Sequence, residues 1–387
     1  MRNESRLACL VLALAFSASA ANTWWVAKED PNASDANVGT EEAPFRTIQA
    51  ALDNPNFIAG DTVNVKRGYY DEGASISDAS VISNRVLITK ACHLIGVEGA
   101  AVTHIVGARS PGSTASGGRG DYATRCIFVD SAARTEDMVI EGFTLRNGAT
   151  GGDAVDTLKN HGGAIYSSGN YPLVIDCVIS NCAAYKGAGL RGGTAIRCYI
   201  ADNWSASSGV AINGGKGYSC IIAYNSGSQI ISSSYLCHCT LYANGNSIVL
   251  TGSGGAYNCI FVDHGRPDTA KYTPSNTSGS IFTATNGTGI VLADRWQFVG
   301  PAAGDWRVVA GSAAETAGDG SQSAKSAFNH IPISERYKDF YKNPIPETGT
   351  VMAGAVQQSA QVVAGGLALN RAHLRNSPKL RRLRHAA

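Results

Sequence analysis

From Cys177 onward, apolar and polar positions alternate in short runs that recur about every 20 residues. The runs begin at Cys177 (CVISN), Cys198 (CYIADN), Cys220 (CIIAYN), Cys239 (CTLYAN) and Cys259 (CIFVDH), with first residues 21, 22, 19 and 20 apart. Period-two alternation is the pattern of a strand with one buried face. A repeat of this length marks a solenoid, whose units stack because none can bury its apolar face alone. The inward column is predicted to pair each Cys with the apolar residue two places on: Ile179, Ile200, Ile222, Leu241 and Phe261. Phe143 takes the Cys place in an earlier rung. Four runs end in Asn181, Asn203, Asn225 and Asn244. Asn tolerates the left-handed backbone of a sharp bend, so these positions are expected to turn the chain.

A second set of short strands follows Gly-rich bends: Ala164-Ile165-Tyr166, Gly189-Leu190-Arg191, Ala211-Ile212-Asn213, Ile230-Ile231-Ser232 and Val249-Leu250-Thr251. Its outward column is predicted to be Tyr166, Arg191, Asn213, Ser232 and Thr251, and a short third strand completes each coil. Helix formers and a Leu-rich consensus are missing between the strands. The fold class is therefore all-β, a parallel β-helix. Phe45, Ile48 and Leu52 fall at helical spacing and predict a short N-terminal helix capping the open end of the first coil. Polar excursions interrupt the coils at 107–124 and 148–161. After Cys259 the period fades, with Gly304 to Val309 read as a last strand.

Length and composition refine this picture. A chain of 387 residues can form one solenoid domain, expected over 22–357: cap and first strands at 22–70, coils at 86–310 and an irregular closing segment at 311–357. Residues 1–21 have the form of a signal peptide, with Arg2 and Arg6, the apolar run Leu7 to Phe16, and small residues before the expected cut. That run is too short to span a membrane. The protein is expected to be secreted, periplasmic or displayed at the cell surface. A formal charge of +2 gives no argument for a nucleic-acid partner, and none is expected. Residues 358–387 form a basic tail with six Lys or Arg and no acid, expected to be solvated. Nine Cys remain after cleavage. Ladder Cys about 4.8 Å apart lie farther from one another than the roughly 3.8 Å between Cβ atoms that a disulfide prefers, so they are read as packing residues. Cys182 and Cys237 fall outside the ladder and are the candidates for any bridge.

The run Ala43-Pro44-Phe45-Arg46-Thr47-Ile48-Gln49-Ala50-Ala51-Leu52, followed by Gly60-Asp61-Thr62-Val63-Asn64-Val65 and Gly68-Tyr69-Tyr70, resembles the N-terminal signature of secreted right-handed β-helix proteins of the pectate-lyase-like superfamily. Ile140 to Gly148 resembles a recurrent coil of that group. Gly304 to Val308, Asp339 to Pro344 and Gly354 to Val356 resemble its closing motifs. The resemblance implies a right-handed coil and carbohydrate bound along the outer face of one sheet. Fold alone does not give the chemistry, since the superfamily holds lyases, hydrolases, esterases, epimerases and non-catalytic surface proteins.

Its hydrolases and esterases use clustered Asp on the outer face, and the predicted outward column here has none. β-Elimination from a uronic acid needs a cation at the carboxylate, a base at C5 and an acid at the leaving oxygen. Residues 153–191 hold Lys159, His161, Tyr166 and Arg191. The expected roles are His161 or Lys159 as base, Tyr166 as proton donor and Arg191 on the carboxylate. Lys186, Asn213 and Lys216 are expected to bind substrate, and Asp153 and Asp156 to hold Ca²⁺ if a metal takes part. Chondroitinase and alginate lyase are the nearest types in the resemblance. The expected partner is an anionic polysaccharide and the expected state a monomer. The competing expectation is a non-catalytic adhesin or glycan-binding β-helix.

Overall fold

A computed structural model describes residues 21–76, 82–152, 158–245, 248–262, 277–278, 280–282, 290–292, 298–319 and 326–357. The expected signal peptide and basic tail, with Asp153 and Asp156, lie outside these residues, save Ala21.

The chain winds as a right-handed parallel β-helix. Among the described residues it forms two ten-stranded sheets and one of eight strands. One coil shows the order. Leu173–Ile175 belongs to the first sheet, Val178–Ser180 to the second, Leu190–Arg191 to the third, and Thr194–Ile196 returns to the first. A small extra sheet, including Ala183–Ala184 and Trp204–Ser205, lies between the second and third. Like residues pile up in register. Leu145, Ile179, Ile200, Ile222, Leu241 and Phe261 form one inward line, and Ile127, Ile165, Leu190, Ile212, Ile231 and Leu250 another. Each such side chain contributes about 1.5–3 kcal/mol by leaving water.

The Cys ladder also faces inward. Cys177, Cys198, Cys220, Cys239 and Cys259 are buried at the corner between the first and second sheets, with Phe143 in line. Each thiol donates to the carbonyl two residues back, at 3.1–3.5 Å. All nine described Cys are free, so neither Cys182 nor Cys237 is bridged. Cys182 is not a stray position. It occupies the place that Asn203 and Asn225 take in later coils, and its amide donates to Asn203 Oδ1 at 2.9 Å.

The bends differ from the expectation in one respect. Asn181 does adopt a left-handed backbone, but in the next three coils that conformation falls one residue earlier, on Asp202, Tyr224 and Ala243. Asn203, Asn225 and Asn244 instead turn fully inside. A second left-handed ladder precedes each Cys, at Asp176, Arg197, Ser219, His238 and Asn258. Such residues cost about 1–2 kcal/mol each and persist because the stacked neighbours hold them.

The N-terminal helix is present as Ile48–Leu52, capped by Thr47, whose hydroxyl accepts from the Ala50 amide. Asp305–Val308 pairs antiparallel with Phe298–Gly300 but is not the last strand, since Gly318–Asp319 and Thr350–Val351 follow. The closing segment lies back along the coils. Phe328, Ile331, Ile345 and Val351 pack on Ile196, Tyr218, Cys237 and Tyr257 of the first sheet. Trp306, Phe340, Tyr341 and Val356 pack on Val178, Tyr199, Ile221 and Tyr224 around the second. These two clusters cover outer faces of the first and second sheets, which directs attention to the third.

Candidate functional site

The third sheet carries the outward column that the sequence predicts. Tyr166 pairs with Arg191, Arg191 with Asn213, Asn213 with Ser232, and Ser232 with Thr251. Upstream the column continues through Phe128 to Leu87. Phe128 and Tyr166 stack with ring centres 5.1 Å apart and planes 8° off parallel.

Three of these outward residues, Tyr166, Arg191 and Asn213, are each overlaid by the glycine four places before them. Gly162, Gly187 and Gly209 have φ of +68°, +64° and +62°. A methyl group on Gly162 would sit 2.7 Å from Tyr166 Cβ, and one on Gly187 2.9 Å from Arg191 Cβ. The bend therefore folds flat over the column, and only glycine permits both the backbone and the approach. In this way the His161–Gly162 backbone is brought against Tyr166, and the main chain of His161 bridges that of Lys186.

Arg191 has little compensation for its charge. Nη1 donates to the Asn213 carbonyl at 3.4 Å, and Nε is buried without an acceptor among the described residues. No described residue hydrogen-bonds the Tyr166 hydroxyl or pairs a carboxylate with Arg191. A buried donor left without an acceptor is costly, which makes this an attractive place for an anion. Arg134 adds a second cation. Its guanidinium lies 5.7 Å from the Tyr166 ring centre and is tied to the Val129 carbonyl and to Ser168 Oγ. Burial lowers the Arg134 pKa, against the pull of Tyr166 and Asp130.

The other predicted residues are placed as follows. His161 is 6% exposed, so its ring is mostly withdrawn from solvent. Lys159 is half-buried and borders an open depression of about 530 Å³ beside the 110–122 loop. Lys186 follows the bend into the Gly187 turn. Asn213 is held by Ser208, with Nδ2 donating to Oγ at 3.0 Å. Lys216 does not stand in a bend. It opens the strand Lys216–Tyr218 of the first sheet, and its ammonium donates to Asn170 Oδ1 at 2.8 Å. It thus flanks the column at the next corner. Among the described residues no group of three His, Cys, Asp or Glu could hold a metal ion.

Arg125, Phe128 and Arg134 belong to this site and were not singled out from sequence. Extending the outward column one register step upstream of Tyr166 reaches Phe128. Arg125 precedes the alternating stretch and gave no such signal.

No family model matches the sequence, and no curated protein matches it. Solved structures do show likeness. One is the pectate lyase Pel9A, at 12% identity and TM-score 0.48, covering 88% of this chain and 98% of that one. Another is the pectin methylesterase PemA from Erwinia chrysanthemi, at 16% and 0.32, covering 70% and 74%. A rhamnogalacturonan lyase is similar at 13% and 0.30, covering 67% and 68%. These likenesses concern the coiled architecture, and none assigns chemistry to this chain.

Proposed function

We propose that this protein is an exported polysaccharide lyase that binds an anionic, uronate-containing glycan along the outer face of the third sheet. The observation that carries this reading is the adjacency of Tyr166 and Arg191. Arg191, whose guanidinium has no carboxylate partner, is the register neighbour of Tyr166, whose phenol has no hydrogen-bond partner among the described residues. Their backbones lie on adjacent strands about 4.8 Å apart. Arg191 would neutralise the uronate carboxylate and so stabilise the charge that builds as the C5 proton leaves. His161 or Lys159 takes that proton. The electron pair forms the C4–C5 double bond and expels the glycosidic oxygen, which Tyr166 protonates. One chain yields an unsaturated uronate end and a new reducing end, and no water is consumed. Ca²⁺ enters this proposal only through Asp153 and Asp156.

A panel of uronate polymers followed by absorbance near 235 nm tests the reading. A rise that Tyr166→Phe and Arg191→Ala each reduce at least tenfold supports it. No rise with any uronate polymer overturns the lyase. The withdrawal of the His161 ring favours a second reading, in which the same face binds glycan without cleaving it. Retained polymer with no change in absorbance, lost in Arg191→Ala, would support that one.

A further inference from the structure

Arg125 is wholly buried, and no described carboxylate hydrogen-bonds it. An uncompensated buried cation survives only if its donors are satisfied in detail. Here they are. Nε donates to the carbonyls of His161 at 3.1 Å and Gly162 at 2.8 Å, Nη2 to those of Leu158 at 2.9 Å and His161 at 2.8 Å, and Nη1 to Asn84 Oδ1. The guanidinium also lies 5.4 Å from the Phe128 ring centre and 5.6 Å from that of Tyr166.

We infer that Arg125 is the positioning residue of this site, one fork of donors that locks the Leu158–Gly162 turn and the Tyr166 ring into a single arrangement. This rests on the proposed function for its catalytic consequence but not for its geometry. The turn carries Lys159 and His161, and its Lys159 and Asn160 carbonyls accept from the Gly151 and Tyr185 amides. Its Leu158, His161 and Gly162 carbonyls converge on one group, and that group also faces the stacked rings. Lysine cannot replace it, because an ammonium offers three donors from one point, where the guanidinium spreads five across a plane. Displacement of a reacting group by about 1 Å can cost about 10²-fold in rate.

The test compares wild type with Arg125→Lys and Asn84→Ala, measuring lyase kinetics and amide hydrogen exchange over 158–166. In folded Arg125→Lys, kcat is expected to fall at least thirtyfold with KM within threefold, and exchange of the turn to rise at least tenfold. Asn84→Ala removes one acceptor and keeps the charge, and is expected to lower kcat three- to tenfold with a smaller rise in exchange. If Arg125→Lys does not fold, Asn84→Ala alone decides. Unchanged kcat and exchange in whichever variant folds overturn the inference. If wild type has no lyase activity, the proposed function fails and exchange alone judges the inference: faster exchange supports the locking role, and unchanged exchange ends it.

Discussion

Asn203 is bound twice to Asn225: its main-chain amide and its side-chain amide both donate to Asn225 Oδ1, each at 3.1 Å. Asn225 repeats the pattern on Asn244, at 3.0 Å for both bonds. Its Nδ2 also donates to the Ile200 and Ala223 carbonyls. The ladder thus satisfies main-chain groups that the left-handed residues Asp202, Tyr224 and Ala243 turn away from the sheets.

Asn225→Ala should therefore destabilise the coil by about 3 kcal/mol, since it strands a buried amide and two carbonyls at about 1–3 kcal/mol for each uncompensated group, partly relieved by water. Urea unfolding measures this. A loss below about 0.5 kcal/mol would show that the ladder is not structural.

Gly187→Ala should be harmful in two ways. A left-handed backbone with a side chain costs about 1–2 kcal/mol, and the new methyl group would press on Arg191. The expected result is a lower melting temperature together with weaker binding of uronate oligomers, read by calorimetry. Gly60→Ala has a similar φ of +91° with no atom within 4 Å of the new methyl. It should lower the melting temperature comparably and leave binding intact. Equal binding losses in both would sever Gly187 from the site.

Acid should loosen the closing segment. His330 shares a 2.8 Å hydrogen bond with Thr194 Oγ1 of the first sheet. Burial, then the charges of Lys216 and Arg336, pushes its pKa down to about 4. Burial pushes His238 down to about 3. Both lie below the value near 6.5 expected of the unfolded chain, which therefore takes up protons first as pH falls. Stability is fully present above about 6.5 and declines toward 4 and below. Burial opposes the Asp176 carboxylate, but the hydrogen bonds and charges of Arg197 and Lys342 outweigh it and hold its pKa below 3.8. That contribution is lost later, as pH falls through and below 3.8. Urea midpoints measured from pH 7 to 4.5 should drop in wild type and drop less in His330→Gln. Parallel curves would remove His330 from the account.

The Cys column should resist chemistry. Burial, aided by neighbouring thiols, raises the pKa of Cys177 and also lifts Cys198, Cys220 and Cys239 well above the usual range. The thiolate is the reactive form. An aromatic disulfide reagent should label none of Cys177, Cys198, Cys220 and Cys239 in native protein and all four in denaturant. Rapid native labelling of Cys198 or Cys220 would contradict the inward register.

Much of this was written along the chain. Period-two alternation at a 20-residue repeat determined the inward lines and the outward column from Tyr166 to Thr251, because stacking parallel strands maps equal repeat positions onto each other. The helix over Ile48–Leu52 was legible for the same reason, a local period. What the sequence could not decide were contacts between residues far apart along it. The left-handed residue shifted from Asn203 to Asp202 because inward hydrogen bonds to neighbouring coils outweighed a local preference for Asn at the bend. Arg125 reaches Asn84 and the Leu158–Gly162 turn across 41 and 33–37 positions. The closing segment settles on the first and second sheets through Trp306 and Phe328, which carry no periodic signal. Repeating local patterns specify a coil, but which of its faces stays open is set by where the aperiodic chain finds apolar surface to cover.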